Sequence, residues 1–252
     1  MILGIKQNKS YTVGSWITIG HTIIAELMAD AGFDWLCIDI EHSVIDYREV
    51  QELISVIQSK DVIAYVRVGE NNNRIIKRVL DAGADGVIVP MVCTKTDAEK
   101  VVNAVRYPPY GKRGVGLSRA QGYGFGFNEY LDKQKDLDII VQIEHIDAIH
   151  NLKEILSVKG VSGSIIGPYD LSSSLGKIGN YEDFDVKNAL SNYEKISLEM
   201  NIPMGYHITD QNIGKFIEMH KRGYTILALS FDAMYLGTIL RKSLKQIKSG
   251  MI

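Results

Sequence analysis

Apolar positions along the chain fall into two alternating rhythms. Eight short runs are almost continuously hydrophobic: 12–19 (TVGSWITI), 35–41 (WLCIDIE), 62–68 (VIAYVRV), 86–92 (GVIVPMV), 138–144 (DIIVQIE), 163–168 (GSIIGP), 203–208 (PMGYHI) and 226–231 (ILALSF). Unbroken runs of this length predict parallel strands covered by helices. Between them the spacing becomes helical, over 21–31, 46–59, 71–82, 95–106, 147–157, 183–200, 210–222 and 232–248. Val50, Leu53, Ile54 and Ile57 mark one such face, and Gly32 and Gly83 are helix stops. AGFDWLCID and DAGADGVIVP repeat one pattern of helix, glycine, aspartate and apolar strand. Eight strand–helix alternations predict a closed (β/α)8 barrel, with residues 1–252 forming a single domain.

One connection breaks the rhythm. From residue 92 to 138 the chain runs far beyond an ordinary crossover. It contains a glycine-rich stretch at 107–127, with six glycines from Gly111 to Gly126. This stretch is expected at the catalytic face as a lid or substrate loop, the alternatives being a surface excursion or a subunit contact.

Composition narrows the class. Of 252 residues, 46% are hydrophobic and 23% charged, enough to bury a sizeable core. Lys and Arg number 28 against 30 Asp and Glu, without a basic cluster, so nucleic acid is not expected as a partner. The N-terminal MILGIKQNKSY has no long apolar stretch after its charges, and no segment is apolar enough to span a membrane. Cys37 and Cys93 lie in or beside apolar strands, as expected of free thiols in a reducing cytoplasm.

Catalytic groups of such barrels gather at strand C-terminal ends. His42, Arg67, Glu144 and Asp170 end four different runs. Gln142 and Glu144, two apart, share one face of strand five. Glu144 and Asp170 together suit a divalent ion held by oxygens with positions open for substrate. Separately, Asp170 could cap the helix begun by LSSS, and Glu144 could pair with an arginine. His42 reads as a general base, with Asp39 and Glu41 near enough to raise its basicity. Arg67, set among valines, needs an anionic partner, either Glu144 or a substrate enolate oxygen. No lysine lies in the eight runs, which argues against imine chemistry and for a metal as electron sink. His207 and Asp232 read as supporting or capping residues, and His145 and His150, five apart, lack the spacing of a helical metal pair.

Four stretches, AGFDWLCIDIEHS, RYPPYGKRGVG, VQIEHIDAIHNL and IGPYDLSSSLG, occur in an order that resembles the HpcH/HpaI aldolases. The resemblance runs from about Gly14 to Leu240. It implies a modified (β/α)8 barrel, one divalent cation (Mg²⁺ or Mn²⁺, with Co²⁺ also open), and class II cleavage of 4-hydroxy-2-oxo acids to pyruvate or a relative plus an aldehyde. By motif it implies His42 as base, Arg67 as enolate stabiliser, Glu144 and Asp170 as metal ligands, and Gln142 as a substrate contact. It also implies that Asp81 raises the basicity of the histidine. The residues alone favour Asp39 for that task, so both are kept, Asp81 first. Two positions depart from the family pattern. Tyr169 stands where a small residue is common, and His145 follows Glu144 where threonine is usual. Tyr169 is expected to narrow the pocket or line the lid. Backbone N–H groups near Gly167 and the loop around Ser118 are expected to bind the substrate carboxylate. The resemblance further implies a homo-oligomer, a hexamer with exchanged C-terminal helices. Two alternatives stay open: a non-catalytic barrel that binds a small carboxylate, and a CoA-ester lyase of the citrate lyase β type, for which no arginine cluster is visible.

Overall fold

The computed structural model describes residues 10–250, so most of the N-terminal stretch read for a targeting signal lies outside the described residues. Eight strands close a parallel barrel in sequence order: β1 (Thr12–Ile17), β2 (Trp35–Asp39), β3 (Ile63–Arg67), β4 (Gly86–Val89), β5 (Asp138–Ile143), β6 (Gly163–Ile166), β7 (Met204–Ile208) and β8 (Ile226–Phe231). The (β/α)8 expectation holds for every strand.

Strand alternation explains both cores. Inward residues Trp35, Cys37, Tyr65, Ile88, Ile140, Ile165 and Ile226 fill the barrel interior. Outward residues such as Leu36, Ile38, Ala64, Val66, Val87, Val89, Ile139 and Val141 pack beneath the helices. Continued toward the C-terminal ends, the inward rows turn polar: Asp39 after Cys37, Arg67 after Tyr65, Gln142 and Glu144 after Ile140, His207 after Gly205. The tight interior also explains Gly14, where a Cβ would fall 2.1 Å from the Trp35 ring.

The helices are α1 (Thr22–Asp30), α2 (Tyr47–Ser59), α3 (Asn73–Asp81), α4 (Lys95–Val105), α5 (Phe127–Lys133), α6 (Ile146–His150), α7 (Leu152–Leu156), α8 (Pro168–Ser174), α9 (Phe184–Glu199), α10 (Ile213–Lys221) and α11 (Asp232–Lys248). Two expectations change. The single helix over 147–157 is two short ones meeting at Asn151, whose side chain bonds the Cys93 carbonyl. The run 163–168 ends early because Pro168 starts α8, a first-turn position that proline favours.

The glycine-rich segment departs further from expectation. It follows α4, as the helical spacing over 95–106 predicts, and it holds a 3-10 stretch (Arg119–Gly124) and α5. Arg113, fully buried, donates to Asp81 Oδ1 (2.6 Å) and to the Tyr130 hydroxyl (2.9 Å). Ser118 Oγ donates to the Asp81 carbonyl (2.9 Å), and Arg119 reaches the Ala82 carbonyl (3.1 Å) and Gln58 (3.0 Å). These anchors are the ends of α2 and α3, which lead into the N-terminal ends of β3 and β4. Within this chain the segment therefore lies at the opposite end of the barrel from the expected catalytic face. Among the described residues no helix is long and apolar enough to cross a membrane, and Cys37 and Cys93 are free.

Candidate active site

At the C-terminal end of the barrel the inward polar tier surrounds a cavity of about 320 Å³, lined among others by Trp16, Arg67, Gln142, Gly167, Asp170 and His207. Tyr169 lines it as well, with its ring more than half exposed.

Arg67 ends β3 beside Asp39 of β2, its register partner. Its Nε and Nη2 donate to the two Asp39 oxygens at 3.0 and 2.6 Å. Its guanidinium lies 4.4 Å from the Trp16 ring centroid. Arg67 is thus paired with Asp39 rather than with Glu144. Asp39 also accepts the backbone N–H of Glu41 (3.0 Å) and of His42 (3.3 Å), which shapes the turn leaving β2.

Glu41 is a member of the site that sequence reading used only as a neighbour. Its Oε2 is 3.3 Å from Arg67 Nε and 3.7 Å from His42 Nε2. Burial pushes its carboxyl up to about 7; Arg67 opposes that shift, and Glu144, Asp39 and Asp170 add to it. The His42 ring is largely exposed on the loop after β2.

Glu144 lies one residue beyond β5 and accepts the Met91 N–H at 2.7 Å. Met91 holds a left-handed φ of 52°, a strained conformation that aims this donor. Gln142 Nε2 also donates to Glu144. Burial raises the Glu144 carboxyl, the Gln142 and Met91 donors lower it, and the neighbouring Asp170 raises it again. Asp170 enters from the first turn of α8. Between the two carboxylates sits Gly167: a Cβ there would lie 3.3 Å from Glu144 Oε2 and 3.8 Å from Asp170 Oδ2.

Two expected site residues stand apart from this group. Asp81 ends α3 at the far end of the barrel, bonded to Arg113, and Ser118 is bonded to Asp81 there. Neither Asp81 nor Asp39 bonds the His42 ring among the described residues. Asp232 caps the end of β1, accepting from Thr18 N (2.9 Å), Thr18 Oγ1 (2.6 Å) and Ile19 N (2.9 Å). His145 caps α6, and its side chain accepts from Asp147 N. His207, read from the sequence as a supporting or capping residue, instead lines the cavity together with Trp16; strand alternation is the signal that places both there, whereas nothing in the sequence marks the Met91 N–H.

A parallel barrel with an arginine and acidic groups around a cavity at its strand C-terminal ends defines an enzyme. Residues 12–237 match the family model described as HpcH/HpaI aldolase/citrate lyase. A hydroxypyruvate/pyruvate aldolase of Roseobacter denitrificans is 37% identical over 228 residues, 89% of this chain and 88% of the relative. A 2-keto-3-deoxy-L-rhamnonate aldolase of Escherichia coli is 33% identical over 240 residues, 94% and 89% respectively. The crystal structure of an HpcH/HpaI aldolase/citrate lyase family protein from Burkholderia cenocepacia superposes with a TM-score of 0.90 at 30% identity, covering 98% of this chain and 100% of that one. The chain belongs to the HpcH/HpaI aldolase/citrate lyase family, and its relatives make its general class that of a carbon–carbon lyase.

Proposed function

We propose that the protein is a divalent-metal-dependent aldolase that reversibly cleaves a 4-hydroxy-2-oxo acid to pyruvate, or a related 2-oxo acid, and an aldehyde. The observation that carries this reading is the pair Glu144 and Asp170 flanking the bare Gly167 backbone beside Arg67.

The donor set fits a hard cation. Glu144 and Asp170 offer two carboxylates and leave the other positions to substrate oxygens and water. That ligand pattern is characteristic of Mg²⁺ and Mn²⁺. Glu144, which is buried, and Asp170, at the exposed rim, repel each other across a glycine where a side chain would fill the gap, and this also favours a cation between them. Glu144 and Asp170 would hold the ion. When bound, it supplies Lewis acidity to the carboxylate and C2 oxygen of the oxo acid.

The remaining steps belong to side chains. Asp39 takes Nε and Nη2 of Arg67, so the guanidinium is fixed and Nη1 stays available to the C2 oxygen as negative charge collects there. Gln142 orients Glu144 and faces the cavity. His42 takes the proton of the C4 hydroxyl, directly or through water, and the C3–C4 bond breaks. Backbone N–H groups at the start of α8, beyond Gly167, favour the substrate carboxylate. The lining cation besides Arg67 is Lys215, on α10 rather than on a strand.

The test is oxaloacetate decarboxylation and retro-aldol turnover of 4-hydroxy-2-oxo acids with and without EDTA. Loss of turnover in chelator and recovery with Mg²⁺ or Mn²⁺ is expected. Full turnover in chelator, or inactivation by borohydride in the presence of substrate, would overturn the reading.

A further inference from the structure

We propose that His207 is a specificity-determining residue of the cavity, whose Nδ1 is a fixed hydrogen-bond acceptor for a hydroxyl group carried by the substrate. The proposal rests on the aldolase reading above and adds the substrate class.

His207 projects inward from β7 and lines the same cavity as Arg67, Gln142 and Asp170. Its Nε2 lies 3.1 Å from the carbonyl oxygen of Ser230. A carbonyl only accepts, so Nε2 carries the hydrogen and Nδ1 carries the lone pair. That carbonyl is placed by an unusual piece of backbone. Ser230 holds a left-handed φ of 54°, rare for a residue with a side chain. The β1–β8 register shifts at the same place, from Gly14 opposite Ala228 to Trp16 opposite Phe231. Ser15 Oγ donates to the same carbonyl at 3.1 Å, and Ser230 Oγ donates to the Thr209 carbonyl at 3.3 Å. Strain of this kind persists where the surroundings enforce it, and here the bulge turns a peptide oxygen onto an imidazole of the cavity.

The ring cannot easily turn over. Its centroid is 5.3 Å from that of Trp16 and 6.5 Å from that of Phe231, and the Trp16 indole also carries Arg67. Burial pushes the imidazole down to about 4; the Ser230 bond opposes this and the positive charge of Arg67 adds to it. The lone pair is therefore unprotonated at neutral pH, and an imidazole of such low basicity accepts a hydrogen bond rather than abstracting a proton.

An acceptor selects its ligand by chemistry. Carboxylate and carbonyl oxygens also only accept, so they suit Arg67 and the metal position and not Nδ1. A hydroxyl donates. It could come from either half of the reaction: a 2-oxo acid hydroxylated at C3, or an aldehyde hydroxylated beside its carbonyl.

The experiment measures aldol-direction kcat/KM of the Mn²⁺-loaded protein for pyruvate and hydroxypyruvate, each with acetaldehyde and glycolaldehyde. The variants are His207→Asn, whose amide oxygen can replace Nδ1, His207→Gln, whose amide N–H replaces Nε2 alone, and His207→Phe. The wild type is expected to favour the hydroxylated member of one pair by about 10-fold or more, the scale of one oriented hydrogen bond. The preference should fall toward unity in His207→Gln and His207→Phe and survive in part in His207→Asn. Preference within the 2-oxo acid pair places the hydroxyl on the nucleophile, and preference within the aldehyde pair places it on the acceptor. A wild type without either preference, or a His207→Phe variant that keeps it, overturns the proposal while the aldolase reading stands. Absence of turnover with every pair overturns both. Independently of activity, imidazole ¹⁵N shifts in the metal-free protein, assigned by loss of signal in His207→Phe, should show the Nε2–H tautomer at pH 7. The Nδ1–H tautomer would also overturn the proposal.

Discussion

Asp39 grips Arg67 by two parallel hydrogen bonds, 3.0 Å to Nε and 2.6 Å to Nη2. A planar fork meeting a carboxylate in this way fixes direction as well as charge. Asp39→Ala should leave the half-buried guanidinium with only its longer contact to Glu41, lowering stability by up to about 3 kcal/mol. Turnover should fall by about 100–1,000-fold, the cost of misplacing one stabilising donor. Arg67→Lys keeps the charge and loses the fork, so it should lose turnover on the same scale with less loss of stability. Urea denaturation beside steady-state assays separates the two effects, and an Asp39→Ala protein with wild-type kcat would refute the assignment.

The Gly167 gap gives a prediction about affinity for the ion. Gly167→Ala inserts a methyl 3.0 Å from Glu144 Cβ and 3.3 Å from its Oε2. It should weaken Mn²⁺ binding even though both carboxylates remain. Glu144→Gln and Asp170→Asn should weaken it by more than about 100-fold, beyond the loss typical of a residue that only supports a ligand. Calorimetric titration with Mn²⁺ measures all three without any substrate. Wild-type affinity in Glu144→Gln would exclude Glu144 as a ligand.

Two buried groups tilt the pH dependence of stability in opposite directions. The His207 imidazole, ordinarily near 6.5, falls to about 4 on folding, chiefly by burial. Between those values the unfolded chain binds the extra proton, so stability drops as pH falls from 6.5 toward 4. The Glu41 carboxyl rises from 4.5 to about 7, again chiefly by burial. There the folded chain holds the extra proton, so stability drops as pH rises from 4.5 toward 7. In metal-free protein Glu41→Gln should add roughly 2 kcal/mol at pH 8, and His207→Phe should flatten the acid side. Chemical denaturation of both variants at pH 5 and pH 8 checks the signs. A Glu41→Gln protein less stable than wild type at pH 8 would contradict the assigned cause.

At the far end of the barrel, Asp81 pairs with an Arg113 guanidinium stacked near the rings of Tyr107 (4.7 Å) and Tyr130 (5.5 Å). Asp81→Ala should cost about 3 kcal/mol by stranding a buried cation. The glycine-rich segment should lose its anchor at the same time, giving faster proteolysis between α4 and α5. Unchanged protection of that segment would show that the ion pair does not hold it.

Strand alternation made most of this architecture readable in advance. Cys37, Tyr65 and Ile140 face inward, and two residues later on the same faces come Asp39, Arg67 and Gln142. The partner of Arg67 was not readable, because Asp39 and Glu144 sit equally well at strand ends and only the β2–β3 register chooses between them. The place of the glycine-rich segment was misjudged for a different reason. Glycine and proline content marks a loop without saying which end of the barrel it serves, and the deciding facts are the bonds of Arg113, Ser118 and Arg119 to the ends of α2 and α3. His207 stood in a position of the inward row, but its orientation depends on the backbone of Ser230, whose left-handed turn no residue type announces.

The packed interior below the polar tier has a kinetic consequence. Among the described residues, Trp35, Tyr65 and Ile140 are wholly shut off from solvent, so the cavity has a sealed floor. Whatever docks deepest, against Arg67 and Gly167, must arrive before the second reactant and depart after it. Under the proposed aldolase reaction, this floor implies ordered traffic, with the oxo acid entering first and leaving last and the aldehyde coming and going in front of it.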